Sequence, residues 1–165
     1  MGMMIMVLGG CGDSSAPKTG KLQELTIGTM PDVDSIPFII AQEKGYFAQE
    51  GLTVQIKPFK SAMDRDSALQ SGNLDGAISD MLAVAFAKEG GFDVKITSLT
   101  NGSYKLIASP IEKAETMADL AGKDIAVSKN TIIEYVTDKI LVENKMNEEQ
   151  FNKVVIPQIP TRLEM

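Results

Sequence analysis

Three aspartates and a glutamate, Asp32, Asp34, Asp80 and Glu134, stand at or beside segments that leave short apolar runs. Hydroxyl, amide and small residues accompany them: Ser35, Ser61 with Ala62, Ser79, Thr100 with Asn101, and Ser128 with Asn130 and Thr131. Carboxylates in this setting attract ammonium groups and other hydrogen-bond donors. Hydroxyls and helix N-terminal amides can instead hold an oxyanion. No Lys or Arg lies within residues 31–35 or 79–80 to balance the acids there, while Lys60, Arg65 and Lys129 flank other loops. The balance favours a ligand with an amine or a neutral nitrogen heterocycle. Tyr104 and Tyr135 are candidates to stack on such a ring.

Other chemistry is excluded by what the chain lacks. With no histidine there is no Ser-His-Asp or Cys-His relay and no imidazole metal ligand. A single cysteine, Cys11, can form neither an internal disulfide nor a zinc finger. Carboxylates alone can hold a hard cation, but these are scattered over separate loops without ligand spacing, so no metal and no cofactor is expected. Lys and Arg number 16 against 22 Asp and Glu, a net charge of −6 and the wrong sign for a nucleic-acid partner. The absence of Trp and an aromatic content of 5% also speak against a stacking platform.

These residues need a scaffold, and the pattern supplies one. At 165 residues, 44% of them hydrophobic, the chain can bury a core. Apolar runs at 25–28, 52–59, 74–79, 94–100, 105–109, 124–128 and 154–156 read as strands. Between them, helical spacing recurs through Ile36, Ile39, Ile40 and Phe47, punctuated by Gly45 and Gly51. It returns over 63–71, closed by Gly72, and over 80–88 with Asp80 as cap. A short turn follows at 117–121 before Gly122. The longest stripe, Ile132, Ile133, Val136, Ile140 and Leu141, follows Asn130 as the expected cap. Asn147 with Gln150 has the form of a capping box, and 160–165 opens another helix. Strands alternating with helices predict an α/β fold with a largely parallel sheet. Ligands of such sheets bind outside the carboxyl ends of the strands, which is where the loops carrying these residues fall.

The N-terminus has a different character. An uncharged apolar run ends in Leu8-Gly9-Gly10-Cys11, which resembles a bacterial lipobox with Cys11 as the lipidated residue. No basic residue precedes the run. Residues 12–21 have the small, polar composition of a tether.

Three segments together resemble the substrate-binding proteins of ABC importers of the nitrate, sulfonate, taurine and thiamine-precursor type. They are Ile36-Pro37-Phe38-Ile39-Ile40-Ala41-Gln42-Glu43-Lys44-Gly45-Tyr46-Phe47 followed by Glu50-Gly51-Leu52, then Ala68-Leu69-Gln70-Ser71-Gly72-Asn73-Leu74-Asp75-Gly76-Ala77, and Leu120-Ala121-Gly122-Lys123 before a strand. The resemblance implies a periplasmic-binding-protein type II fold whose two lobes close on a ligand. It further implies a leader over 1–11, a tether over 12–21, lobe one over 22–110, and a hinge with an incomplete lobe two over 111–165. The function implied is extracytoplasmic capture of a small organic molecule and delivery to a permease and ATPase, from a lipid anchor in the membrane and without catalysis. An anion binder of the sulfonate or nitrate type is the alternative. The pyrimidine-forming enzymes of similar fold depend on histidine, and regulators of similar architecture carry a helix-turn-helix where this chain has a tether.

Overall fold

The computed structural model describes residues 23–111 and 114–165. Cys11 and the expected leader and tether lie outside the described residues. The first sheet holds three parallel strands in the order β2, β1, β3, where β1 is Gln23–Thr29, β2 Leu52–Pro58 and β3 Gly76–Ala77. Leu25 pairs with Val54 and Ile27 with Ile56. Along β2, half-buried Leu52, Val54 and Ile56 alternate with exposed Thr53, Gln55 and Lys57, the two-residue period of a strand with one covered face. Helices α1 (Ile36–Glu43) and α2 (Tyr46–Gln49) carry the chain from β1 to β2 and meet at Gly45, whose φ of +69° favours glycine. Helix α3 (Ala62–Gln70) returns the chain to β3, and α4 (Met81–Glu89) leaves it.

The second sheet is a parallel pair, β4 (Asp124–Val127) and β5 (Asn152–Val155), joined by α5 (Ile132–Glu143). Its core is the better enclosed of the two, with Ile125, Val127, Leu141, Met146 and Phe151 packed together and Leu106, Met117 and Leu120 against them. A tight turn over Glu148–Gln150 carries the capping box expected from Asn147 and Gln150. The last helix, α6 (Ile159–Glu164), is tied back to the first sheet's loops by the Ile159 N–H, which donates to the Lys60 carbonyl at 3.0 Å.

Two expectations are corrected. Residues 94–100 and 105–109 are not strands: no neighbouring strand pairs with them among the described residues, and Leu99 and Ile107 are 81% and 74% exposed. Alternating apolar residues satisfy a strand's side-chain pattern, but without a ladder partner the backbone has no sheet to join. Nor does Asn130 cap α5. Thr131 takes the extended cap conformation, and its Oγ1 accepts from the Ile133 N–H at 3.2 Å. Asn130 instead occupies the left-handed region at φ +58°, which asparagine tolerates better than most residues.

Candidate functional site

Each strand end that faces the cleft runs into the N-terminus of a helix or a tight turn, and a capping side chain fixes each junction. After β1, Asp32 Oδ1 accepts from the Ser35 N–H at 3.0 Å and from the Ser35 hydroxyl at 2.9 Å. The same Ser35 Oγ accepts from the Met30 N–H at 3.2 Å, so a fully buried serine locks the loop. After β2, the buried Ser61 caps α3, accepting from the Asp64 N–H at 3.2 Å and donating to Asp64 Oδ2 at 2.6 Å. After β3, Asp80 Oδ1 accepts from the Ala83 N–H at 2.9 Å and starts α4. After β4, the Thr131 hydroxyl donates to the Ser128 carbonyl at 2.7 Å, and the Asn130 N–H donates to Glu134 Oε2 at 2.7 Å. The first turns of α3, α4 and α5 therefore converge.

Between them lies a cleft of about 90 Å3. The first sheet's side contributes Met30, Asp32, Asp34, Ala62, Arg65, Ile78, Ser79 and Asp80. The second contributes Ser128, Thr131, Ile132 and Ile133, while Tyr104 reaches in from the long irregular segment. Of the residues expected from the sequence, Asp32, Ala62, Ser79, Asp80, Ser128 and Thr131 thus come together on its walls. Ser35 and Ser61 lie behind the wall as the buried locks just described. Asn130 lines a smaller adjoining cavity of about 20 Å3, shared with Asp66 and Asp80. Thr100 and Asn101 are exposed and form no part of the wall. Two residues on from Gly102, against which the Asp34 carboxylate rests, it is Tyr104 that faces the cleft.

Arg65 is the residue that sequence reasoning placed elsewhere, beside another loop. It is 4% exposed in the first turn of α3, and its aliphatic stem lies against Gly28 of β1. Side chains on a helix lean toward its N-terminus, so an arginine here reaches back to the strand ends where the cleft is. Its Nε donates to Asp66 Oδ1 at 2.9 Å. Its Nη2 lies 2.7 Å from that same oxygen and 3.9 Å from Asp80 Oδ2. The nearer contact is an ion pair, and the farther one is too long for a hydrogen bond. A cation thus stands across from Asp80, though the wall carboxylates and Asp66 outnumber it.

The electrostatics follow from this crowding. Burial, then the neighbouring Asp80 and Asp34 carboxylates, hold the Tyr104 phenol above its ordinary value against the opposing effect of Arg65. Burial likewise raises the Asp66 carboxyl although Arg65 pulls the other way. Among the described residues no group of three or more potential ligands is placed to hold a metal ion, and no helix is long and apolar enough to cross a membrane.

The family model described as NMT1/THI5 like matches residues 32–163, a span that contains every wall of the cleft but the start of its first loop. The chain belongs to the NMT1/THI5-like family. No curated protein sequence matches it. Among solved structures, NMT1/THI5-like residues of this chain superpose on the alkanesulfonate-binding protein SsuA from Xanthomonas axonopodis pv. citri bound to MOPS, with a TM-score of 0.69 and 20% identity over 87% of this chain and 51% of that one. A nutrient-binding protein from Burkholderia cenocepacia bound to methionine gives a TM-score of 0.64 and 20% identity over 85% and 68%. The periplasmic aliphatic sulphonate binding protein SsuA from Escherichia coli gives 0.54 and 19% over 82% and 48%. The chain thus spans about half the length of the SsuA structures. At identities this low the structural likeness establishes the fold alone, a mixed α/β architecture of the periplasmic-binding-protein type II.

Proposed function

We propose that this NMT1/THI5-like protein is the extracytoplasmic solute-binding component of an ABC importer, capturing a small organic molecule in the cleft and passing it to a permease and ATPase. One observation carries the reading: the cleft is built at the carboxyl ends of parallel strands from both sheets, with the first turns of three helices aimed into it. A ligand there touches both halves at once. A lipid anchor at Cys11 would hold the protein at the membrane.

For the ligand, the carboxylates of Asp32, Asp34 and Asp80 support an amine-bearing or nitrogen-heterocyclic molecule. Asp32 Oδ1 is occupied by Ser35, while no hydrogen bond among the described residues goes to Oδ2. Arg65 supports the second reading, an anion of the sulfonate or nitrate type. A thermal-shift screen of amines, pyrimidines and sulfonates against the protein and Asp32→Asn separates the two. An amine ligand should lose about 1–3 kcal/mol of binding in the variant, the scale of a charge-assisted hydrogen bond. Binding of sulfonates alone, unchanged or tightened by Asp32→Asn, would reverse the ligand assignment.

A further inference from the structure

The irregular run that carries Tyr104 past the cleft has little of its own to hold it. Among the described residues no hydrogen bond involves residues 95–108, and Leu99 and Ile107 are largely exposed. Tyr104, from the middle of this run, nevertheless lines the cleft. Two contacts, one on each side of it, fix where the ring falls. At Gly102 a Cβ would lie 3.1 Å from Asp34 Oδ2 and 3.4 Å from Oδ1. Gly102 is not among the glycines at positive φ, so what sets it apart is the space of its missing side chain, which the Asp34 carboxylate fills. On the other side, Leu106 packs against the core of the second sheet. A spacing of two is the period at which an extended chain turns its side chains to one side.

We propose that Gly102 and Leu106 are positioning residues that fasten the chain to the two halves of the molecule and so hold the Tyr104 ring over the cleft. The inference rests on the solute-binding reading and deepens it. Tyr104 becomes the wall whose place depends on both halves, since one anchor sits on a loop of the first sheet and the other on the second core. The loop under Gly102 is the firmer partner, because buried Ser35 bonds both Asp32 and Met30. A larger residue at 102 is therefore accommodated by lifting the chain, which no backbone hydrogen bond restrains, and the ring leaves the cleft with it. Tyr104 reports its own position. Burial and the carboxylates of Asp80, Asp34 and Asp32 raise its phenol against the opposing Arg65, so withdrawal from the cleft returns the titration midpoint toward the ordinary tyrosine value.

The test uses the full chain carrying Tyr46→Phe and Tyr135→Phe, which leaves Tyr104 as the one tyrosine of three. Both replaced residues are exposed and neither lines the cleft. Tyrosinate absorbance is followed against pH, with circular dichroism recorded alongside to confirm folding. Gly102→Val and Leu106→Ala should each lower the Tyr104 midpoint, whereas Leu99→Ala, in the same run but exposed, should leave it in place. Asp34→Ala should lower it by removing one carboxylate. Because that change also vacates the seat, Gly102→Val added to it should shift the midpoint by less than Gly102→Val alone. A midpoint unchanged or raised in folded Gly102→Val would overturn the proposal, as would an equal drop with and without the Asp34 side chain. Should Gly102→Val fail to fold, an unchanged midpoint in Leu106→Ala would overturn it instead. No ligand enters the titration, so such a failure would leave the solute-binding reading to the thermal-shift screen.

Discussion

Gly28 is where the fold and the site meet. A Cβ built there would lie 2.6 Å from Leu74 Cδ1, 3.3 Å from Phe59 Cε2 and 3.4 Å from Arg65 Cγ. Carbon atoms at rest stand about 3.5–4.0 Å apart, so Leu74 would have to retreat by about 1 Å. Leu74 is buried and has little space to do so. Gly28→Ala should therefore cost about 1–3 kcal/mol, the usual penalty for overpacking. Urea unfolding measures it as a lowered midpoint with an unchanged slope. The decisive comparison is a double-mutant cycle with Leu74→Ala, which by itself opens a cavity and should cost about 2–5 kcal/mol. In the double variant the new methyl occupies space that the leucine vacated, so the combined loss should fall short of the sum by about 1 kcal/mol or more. Additive losses would refute the claim that close packing on Leu74 is what requires glycine at this position.

Leu141, 1% exposed at the centre of the second core, should cost about 2–5 kcal/mol when changed to Ala, read from the same denaturation curves. The exposed Asp119 carboxylate accepts from the Thr116 hydroxyl and from the Thr116 and Glu115 N–H groups, and these bonds hold its pKa below 3.8. A carboxyl depressed on folding contributes stability above its unfolded value and loses it as pH falls through the folded one, so the Met117–Leu120 turn should loosen only below pH 3.8; a carboxyl resonance titrating at or above that pH would contradict this. In a bacterial host that supplies a complete leader, palmitate labelling should be lost in Cys11→Ala, and label retained by the variant would exclude lipidation at that residue.

Much of this architecture is legible in the sequence because local signals agree with tertiary need. The alternation of Leu52, Val54 and Ile56 marks β2, Asp80 stands where a helix begins, and the stripe through Leu141 marks the longest helix. Residues 94–100 and 105–109 fail for the opposite reason. Val94 and Ile96 have a strand's spacing, but a strand is a relation to a neighbour, and no property of the segment itself reveals whether one is there. In Ser128-Lys129-Asn130-Thr131, three residues are acceptable caps, and the choice of Thr131 depends on which one the backbone holds extended. Arg65 is the most instructive misplacement. A charged residue inside a helix ordinarily faces water, and the signal that it does not is spread over three places: its position in the first turn, the cap at Ser61, and the missing side chain of Gly28.

The central claim is that a small molecule is held between the two sheets at the strand ends, and amide chemical-shift mapping with the tightest ligand of the screen tests it most directly. The account predicts that shifts cluster on both sides of the cleft, at Met30 to Ser35, Arg65, Ser79 and Asp80 on one and Ser128 to Ile133 on the other. Shifts confined to the outer faces of α1 and β2, with Ser128 and Arg65 unmoved, would contradict it.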